Sequence, residues 1–332
     1  MKVALLGSVS SSYTVLDALI RAGVDITAVL GLDESQADRV ADYRSLRPLA
    51  EQAALPFLSF VKVTEPAVEQ FLRNRKGGFA ANPPDLIWCI GLSQLVPPNL
   101  IHIARHGGVG FHPTMLPKGR GRAPVAWTIL RGERAAVNLF YLADEPDAGD
   151  IIVQREVPVL PDDYSQDLIQ RTNEVLHEVI LELAPAIKSG TLTRTPQDHA
   201  QATYYAKRTP ADGLIDWSKS TDDVYRLIRA AGRPYPGAFS FLPDTKVTIW
   251  RARPEDPTQV PPDLHNEAAG TILAVRKCGV AVDAACQPLV KTGDGAIRLT
   301  ESEPEDATVS PATCFVEGRR FQDHQTPEER PA

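Results

Sequence analysis

The sequence predicts an α/β protein: a mostly parallel sheet with helices on both faces, followed by a smaller β-rich domain. Three observations carry this. Through the first ninety residues or so, short apolar runs alternate with amphipathic ones, the pattern of repeated strand, helix, strand units. A long amphipathic segment from Ser165 to about Lys188 then closes that pattern. Beyond Tyr204 the apolar runs become short, alternate in polarity and are separated by turn residues, as in a small barrel or sandwich. With 332 residues the chain can build two domains, each with its own core.

Taken in order, KVALLGS (2–8) reads as a buried strand. Ser12 to Arg21 reads as a helix with Val15, Leu16, Leu19 and Ile20 on one face and Gly23 as its stop. DITAVLGL (25–32) is the second strand, PFLSF (56–60) the third, a helix follows around 64–74, and DLIWCIGL (85–92) is the next strand. The units are Rossmann-like, but the first turn is GSVSSS rather than GxGxxG, so a dinucleotide-binding reading loses its main support. NLFYLADEPDAGDIIVQREVPV (138–159) contains two strand-like runs around a turn-rich loop. In the long helix Leu168, Ile169, Thr172, Val175, Leu176, Val179, Ile180 and Leu183 keep the helical period, and SGT (189–191) ends it. A short helix from Thr221 to Ala231, stopped by Gly232, precedes the strand-like runs GAFSFL, KVTIW, GTILAV and GVAVDA. The expected organisation is a catalytic domain over 1–190, a linker over 191–205, an OB-like β-rich domain over 206–320 and a disordered tail over 321–332. Residues 254–266 read as a surface insertion.

Composition narrows the function. Lys and Arg number 35 against 42 Asp and Glu, a formal charge of −7, which disfavours a surface built to neutralise nucleic-acid phosphates. No apolar run approaches the ~20 residues of a membrane span, and Met1-Lys2 leads straight into a strand rather than a signal peptide, so a cytoplasmic protein is expected. Cys89, Cys278, Cys286 and Cys314 form no CxxC pair and read as reduced thiols. His102 and His106 stand i, i+4 but have no third ligand in sight, so no metal is expected.

The chemistry concentrates in GVGFHPTMLPKGRGRAPVAW (108–127). In open α/β sheets ligands sit at the carboxyl ends of strands, and here a strand runs into His112, an imidazole suited to proton exchange near neutral pH. Pro113 and Pro117 stiffen the exit. Gly119 and Gly121 allow close backbone approach beside Lys118, Arg120 and Arg122, whose cations suit carboxylate or phosphate. A solvated surface loop is the plainer reading of the same residues. Asp147, in ADEPDAGDII, could orient the imidazole, although Asp144, Glu145 and Asp150 crowd the same loop.

HPTMLPKGRGRAPVAWTILRGE followed by DEPDAGDII resembles the signature of the formyltransferase family that uses 10-formyltetrahydrofolate. The family includes enzymes acting on methionyl-tRNA, on glycinamide ribonucleotide and on nucleotide-linked amino sugars. The resemblance extends through YYAKRTPADGLIDW and RAAGRPYPGAFSFL and covers roughly residues 1 to 316. It implies that His112 and Asp147 are the catalytic histidine and aspartate. It also implies that Gln94, Leu95 and Val96 form the folate-contacting loop, with Arg122 and Ala143, Asp144, Glu145 and Pro146 beside the pterin and formyl group. An apolar slot with backbone donors suits a pterin ring. An amine would then attack the formyl carbon while His112, steadied by Asp147, exchanges protons and fixed donors hold the oxyanion.

Gly110 departs from the family pattern, which places an asparagine two residues before the histidine. A lost oxyanion donor costs about 10²–10³ in turnover. Another donor could replace it, the glycine could enlarge the pocket, or the protein could be a non-catalytic folate binder. For the acceptor, the segment 33–51 holds five acids and three arginines where enzymes acting on tRNA carry a basic insertion, so a nucleotide-linked amino sugar is favoured over methionyl-tRNA. Hydrolysis of the formyl donor is a further alternative. Lys118 and Arg120, with Arg208, Arg233 and Tyr235 of the second domain, are the candidate substrate contacts. Tyr204, Lys207 and Arg229 offer similar chemistry, and all of these second-domain residues also read as packing tyrosines and solvated cations. A homodimer is compatible with the sequence.

Overall fold

The computed structural model of the chain describes residues 1–73, 83–92, 94–260, 265–276, 287–306 and 314–322. It divides into two compact units. The first comprises Met1–Thr128, Arg134–Val159 and Asp167–Lys207; the second comprises Ile129–Glu133, Leu160–Gln166 and the described residues from Arg208 on.

The first unit is built on a sheet whose early strands are β1 (Lys2–Gly7), β2 (Asp25–Leu32), β3 (Phe57–Phe60), β4 (Leu86–Ile90) and β5 (Gly108–Thr114). These five are parallel, in the order β3, β2, β1, β4, β5. Helices α1 (Ser10–Arg21), α2 (Arg47–Gln52), α3 (Pro66–Leu72) and α4 (Pro98–Ile101) make the crossovers. A two-residue strand β6 (Arg120–Gly121) and helix α5 (Pro124–Arg131) follow. The sheet is then extended antiparallel by β7 (Ala135–Tyr141) and β8 (Ile151–Val157), giving seven strands. Val3, Leu5, Leu86, Ile87 and Trp88 are fully buried, which is why the central strands read as unbroken apolar runs: both faces of a parallel sheet are covered. Helix α6 (Ser165–Ser189) begins where expected. The segment expected as a linker, 191–205, lies in this first unit: Thr195 bridges Ile151, and β9 (Tyr204–Tyr205) pairs with β6.

The second unit holds α7 (Thr221–Ala231) and five antiparallel strands: β10 (Ala238–Leu242), β11 (Thr245–Pro254), β12 (Ile272–Arg276), β13 (Gln287–Lys291) and β14 (Ala296–Pro304). Their order is β10, β11, β14, β13, β12. The two edges are joined by residues 318–322. Arg319 O accepts from Ile272 N at 2.8 Å, Phe321 N donates to Gly270 O at 2.9 Å, and Phe241 and Gln322 exchange bonds of 3.1 and 2.7 Å. Phe321 is 2 % exposed and stacks on Trp217 with ring centroids 5.3 Å apart, in a core with Ile228, Val247, Ile249, Ile297 and Leu299. Phe321 and Gln322 are therefore part of this unit, past the point expected as the start of a tail. Of the expected surface insertion, Val260 is buried against Leu273, Leu289 and Ala296. The expected strand GVAVDA lies outside the described residues, as do Cys278 and nearly all of the C-terminal tail.

Candidate active site

His112 stands near the carboxyl end of β5, 5 % exposed. Its Nε2 lies 2.8 Å from the carbonyl oxygen of Gly119. A carbonyl only accepts, so this partner assigns the ring proton to Nε2 and leaves Nδ1 as the nitrogen available for proton exchange. Nδ1 faces Oδ2 of Asp147 at 3.6 Å, beyond direct hydrogen-bond length. Asp147 has a φ of 57°, a left-handed conformation costing about 1–2 kcal/mol for a residue with a Cβ, though aspartate tolerates it better than most. Its Oδ2 accepts from the backbone N–H of Gly121 at 2.8 Å. Only glycine serves at 121, where φ is 107° and a Cβ would lie 2.6 Å from the carbonyl oxygen of Tyr205.

The loop that supplies Gly119 and Gly121 is pinned on both sides. Thr114 Oγ1 donates to Lys118 O at 2.8 Å, Thr203 Oγ1 accepts from Gly119 N at 2.9 Å, and β6 pairs with β9. Pro113 has no N–H, and the β5–β7 register shifts between His112 and Thr114. Asn138, opposite His112, repairs the gap. Its Nδ2 donates to His112 O at 2.8 Å and to Thr114 O, and its Oδ1 accepts from Gln154 Nε2 at 2.7 Å. That amide is therefore committed to backbone and neighbour.

At Gly110 the neighbourhood is filled rather than open. A Cβ there would meet Phe140 Cζ at 2.8 Å and Leu142 Cδ2 at 2.9 Å, and Phe140 is directly opposite in the register. The idea that this glycine enlarges the pocket is thereby corrected: the aromatic ring of the cross-strand neighbour takes up the space.

Arg120 has no solvent exposure. Its Nη2 donates to Gln197 Oε1 at 2.8 Å and lies 3.2 Å from His199 Nδ1, and its Nη1 donates to Tyr204 Oη at 3.2 Å. An anionic ligand expected at Arg120 would have to displace these partners. Lys118 and Arg122 are exposed, as are Ala143, Asp144, Glu145 and Pro146. Glu145 accepts from Tyr204 Oη. Gln94 ties two loops together: its Oε1 accepts from Val63 N and its Nε2 donates to Val61 O, both at 2.8 Å. Leu95 is 85 % exposed and Val61 41 %, while Val96 packs on the core. Arg208, Arg233 and Tyr235 belong to the second unit. There Arg208 donates to Asp212 O at 2.8 Å, burial pushing its guanidinium below its ordinary value. Arg233 pairs with Glu301 and lies 4.3 Å over the Trp250 ring. Among the described residues no three His, Cys, Asp or Glu side chains gather as a metal site, and no helix is long and apolar enough to cross a membrane.

The sequence reading did not single out Asn138, Phe140 or Gln197. Strand register reveals the first two, and the third is a lone buried residue in an otherwise polar stretch, PQDHAQ.

An imidazole at the carboxyl edge of a parallel sheet, one nitrogen capped and the other turned to a carboxylate, is chemically able to exchange a proton with a group bound beside it. Residues 1–184 match the formyl transferase family model, and residues 207–320 match the formyl transferase C-terminal domain. The chain belongs to the formyl transferase family. Among solved structures, HypX from Aquifex aeolicus in complex with tetrahydrofolic acid is similar over 92 % of this chain at 20 % identity and TM-score 0.61; the chain spans 44 % of that protein's length. WlaRD, a sugar 3N-formyl transferase with dTDP and 5-N-formyl-THF, matches over 92 % of this chain and 98 % of its own, at 14 % identity and TM-score 0.59. The N-formyltransferase from Helicobacter canadensis, in complex with folinic acid and dTDP-3-aminofucose, matches over 90 % of this chain and 98 % of its own, at 14 % identity and TM-score 0.57. At these identities the likeness is one of fold.

Proposed function

We propose that this chain moves a formyl group from 10-formyltetrahydrofolate to the amine of a small acceptor, with a nucleotide-linked amino sugar as the acceptor class. The observation that carries the reading is the pairing of His112 Nδ1 with Asp147 Oδ2 across 3.6 Å while Nε2 is held by Gly119. The donor supplies the formyl carbon. Residues suited to hold it are Leu95 and Val61, exposed apolar side chains that the Gln94 amide brings to neighbouring loops, together with the exposed run Ala143 to Pro146.

The protein's own task is to move a proton. An amine is nucleophilic only when neutral and must lose a proton as its N–C bond forms. Nδ1 of His112 accepts that proton, the Asp147 carboxylate stabilises the resulting imidazolium, and the same proton is returned to the departing nitrogen. Gly119 O and Gly121 N–H are fixed, so the pair does not reorganise between the two transfers. The amino-sugar class is supported by the acidic overall charge of −7 and by the structural likeness to sugar N-formyltransferases seen with dTDP and dTDP-3-aminofucose.

The test incubates the protein with 10-formyltetrahydrofolate and a panel of nucleotide-linked amino sugars, reading the gain of one formyl group by mass spectrometry. Formylation of at least one sugar, lost in His112→Asn, is expected. Tight binding of a stable folate analogue with no product on any amine would point instead to a folate binder.

A further inference from the structure

Gln197 lies between the two stretches that match the family, 1–184 and 207–320. Its neighbours from Thr193 to Gln201 are all exposed, yet Gln197 is 6 % exposed. Its Nε2 donates to Asp147 O at 2.9 Å and to Gly149 O at 2.7 Å, so one amide grips the backbone on both sides of Ala148. Its Oε1 accepts from Nη2 of the wholly buried Arg120 at 2.8 Å. Arg120 is itself held by Tyr204 Oη, which donates onward to Glu145 in the loop that carries Asp147. Nearby, Thr195 and Ile151 exchange backbone bonds of 2.8 and 2.9 Å, and Thr193 Oγ1 donates to Ile152 O at 2.8 Å.

We infer that Gln197 is a positioning residue for Asp147, with buried Arg120 as its anchor. The left-handed backbone at Asp147 persists only if its surroundings over-determine it. The two residues of β6 do so together: Gly121 N–H holds the carboxylate, and Arg120, acting through Gln197, holds the backbone of the same residue. A buried amide with both its oxygen and its NH₂ engaged is rigid, and a carboxylate displaced by about 1 Å can cost on the order of 100-fold in rate. The kinetic consequence rests on the formyl-transfer reading; the geometric claim does not.

Two variants separate the functions of the amide. Gln197→Glu keeps an acceptor for Arg120 but loses both donors to the Asp147 loop, and Gln197→Met keeps the volume while losing both functions. The first readout is the side-chain ¹⁵N spectrum of labelled histidines, with His112 assigned through its loss in His112→Gln. Asp147→Asn shifts the His112 Nδ1 resonance. Both Gln197 variants are expected to shift it in the same direction by at least a third as much, whereas Arg134→Ala, at a surface ion pair, does not. The second readout is formyl transfer, where kcat is expected to fall about 10- to 100-fold with KM for the formyl donor within about twofold. Adding Gln197→Met to Asp147→Asn is expected to lower kcat no further. Unshifted His112 resonances in both variants, or losses that multiply in the double variant, would overturn the inference even where melting temperature falls. A wild-type protein that transfers no formyl group would defeat the functional reading alone, because the resonances still decide the geometry.

Discussion

Placing asparagine at 110 is the most informative single substitution. An ideal Cβ there lies 2.8 Å from Phe140 Cζ, 2.9 Å from Leu142 Cδ2 and 3.2 Å from Phe140 Cε2. Carbon atoms in good contact sit ~3.5–4.0 Å apart, so the first pair overlaps by roughly 0.7 Å or more. The backbone is ordinary strand, so the cost is entirely steric. Phe140 is 2 % exposed and cannot swing its ring into solvent. Overpacking of this kind costs about 1–3 kcal/mol. For a unit of this size that is about 2–4 °C per kcal/mol, so Gly110→Asn should lower the first unit's melting temperature by roughly 2–12 °C. Phe140→Leu shortens the obstructing side chain. In Gly110→Asn/Phe140→Leu the two costs should not add, and a coupling of about 1 kcal/mol or more is expected for side chains in contact. Circular-dichroism melts of the wild type, both single variants and the double variant close the cycle. A Gly110→Asn protein as stable as wild type, or strictly additive effects, would refute the packing argument. If the double variant also turned over tenfold faster than Phe140→Leu alone, an amide near His112 would be what this site lacks.

Asp147→Asn, which keeps the shape but removes the charge facing Nδ1, should cost formyl transfer at least about 100-fold with little change in melting temperature, measured by steady-state kinetics and calorimetry. Phe321→Ala should destabilise the second unit by about 3–5 kcal/mol, read as a lower urea midpoint, since it empties the stack on Trp217. Asp42 gives a pH-dependent case. Burial pushes its carboxyl above the ordinary value despite bonds from Ser10 N and Oγ. Relative to the unfolded chain the fold favours the protonated form, so the cost of ionising Asp42 appears and grows as pH rises past about 3.9. Asp42→Asn tolerates the same φ of 62°, so it should raise the melting temperature at pH 7, with a gain that shrinks below about pH 4. An equal gain at both pH values would count against this assignment. Cys89, its thiol pushed up to about 12 by burial, should resist alkylation at pH 8 until the protein is unfolded, as mass spectrometry would show.

Much of this molecule was legible from periodicity. The strand Asp25–Leu32 and the helix Thr221–Ala231 have the bounds their sequences imply, because an apolar run between turn residues and a Gly232 stop after Ala231 are local signals. The segment 191–205 was illegible for the opposite reason. It is polar and short of apolar residues, and what ties it to the first unit is backbone pairing, side-chain hydrogen bonds at Thr193, Gln197 and Thr203, and the lone buried ring of Tyr205, none of which leaves a periodic hydrophobic pattern. Phe321 was misjudged because a single aromatic among charged residues does not announce that it plugs a core. In the site, His112 and Asp147 could be singled out by residue type and loop chemistry. The capping of Nε2 by Gly119 and the ring of Phe140 beside Gly110 could not, since both depend on register between strands far apart in the chain.

The way residues 318–322 join the two outer strands of the second unit bears on handling the protein. Chains shortened to residue 320 would lose Gln322, leaving Phe241 with a free donor and acceptor along β10, and would uncover the apolar ring of Trp217. An unpaired strand margin beside exposed aromatic surface is a template for intermolecular stacking. Expression tags on the C-terminal side therefore belong beyond residue 322, and cuts placed earlier invite precipitation rather than a smaller soluble protein.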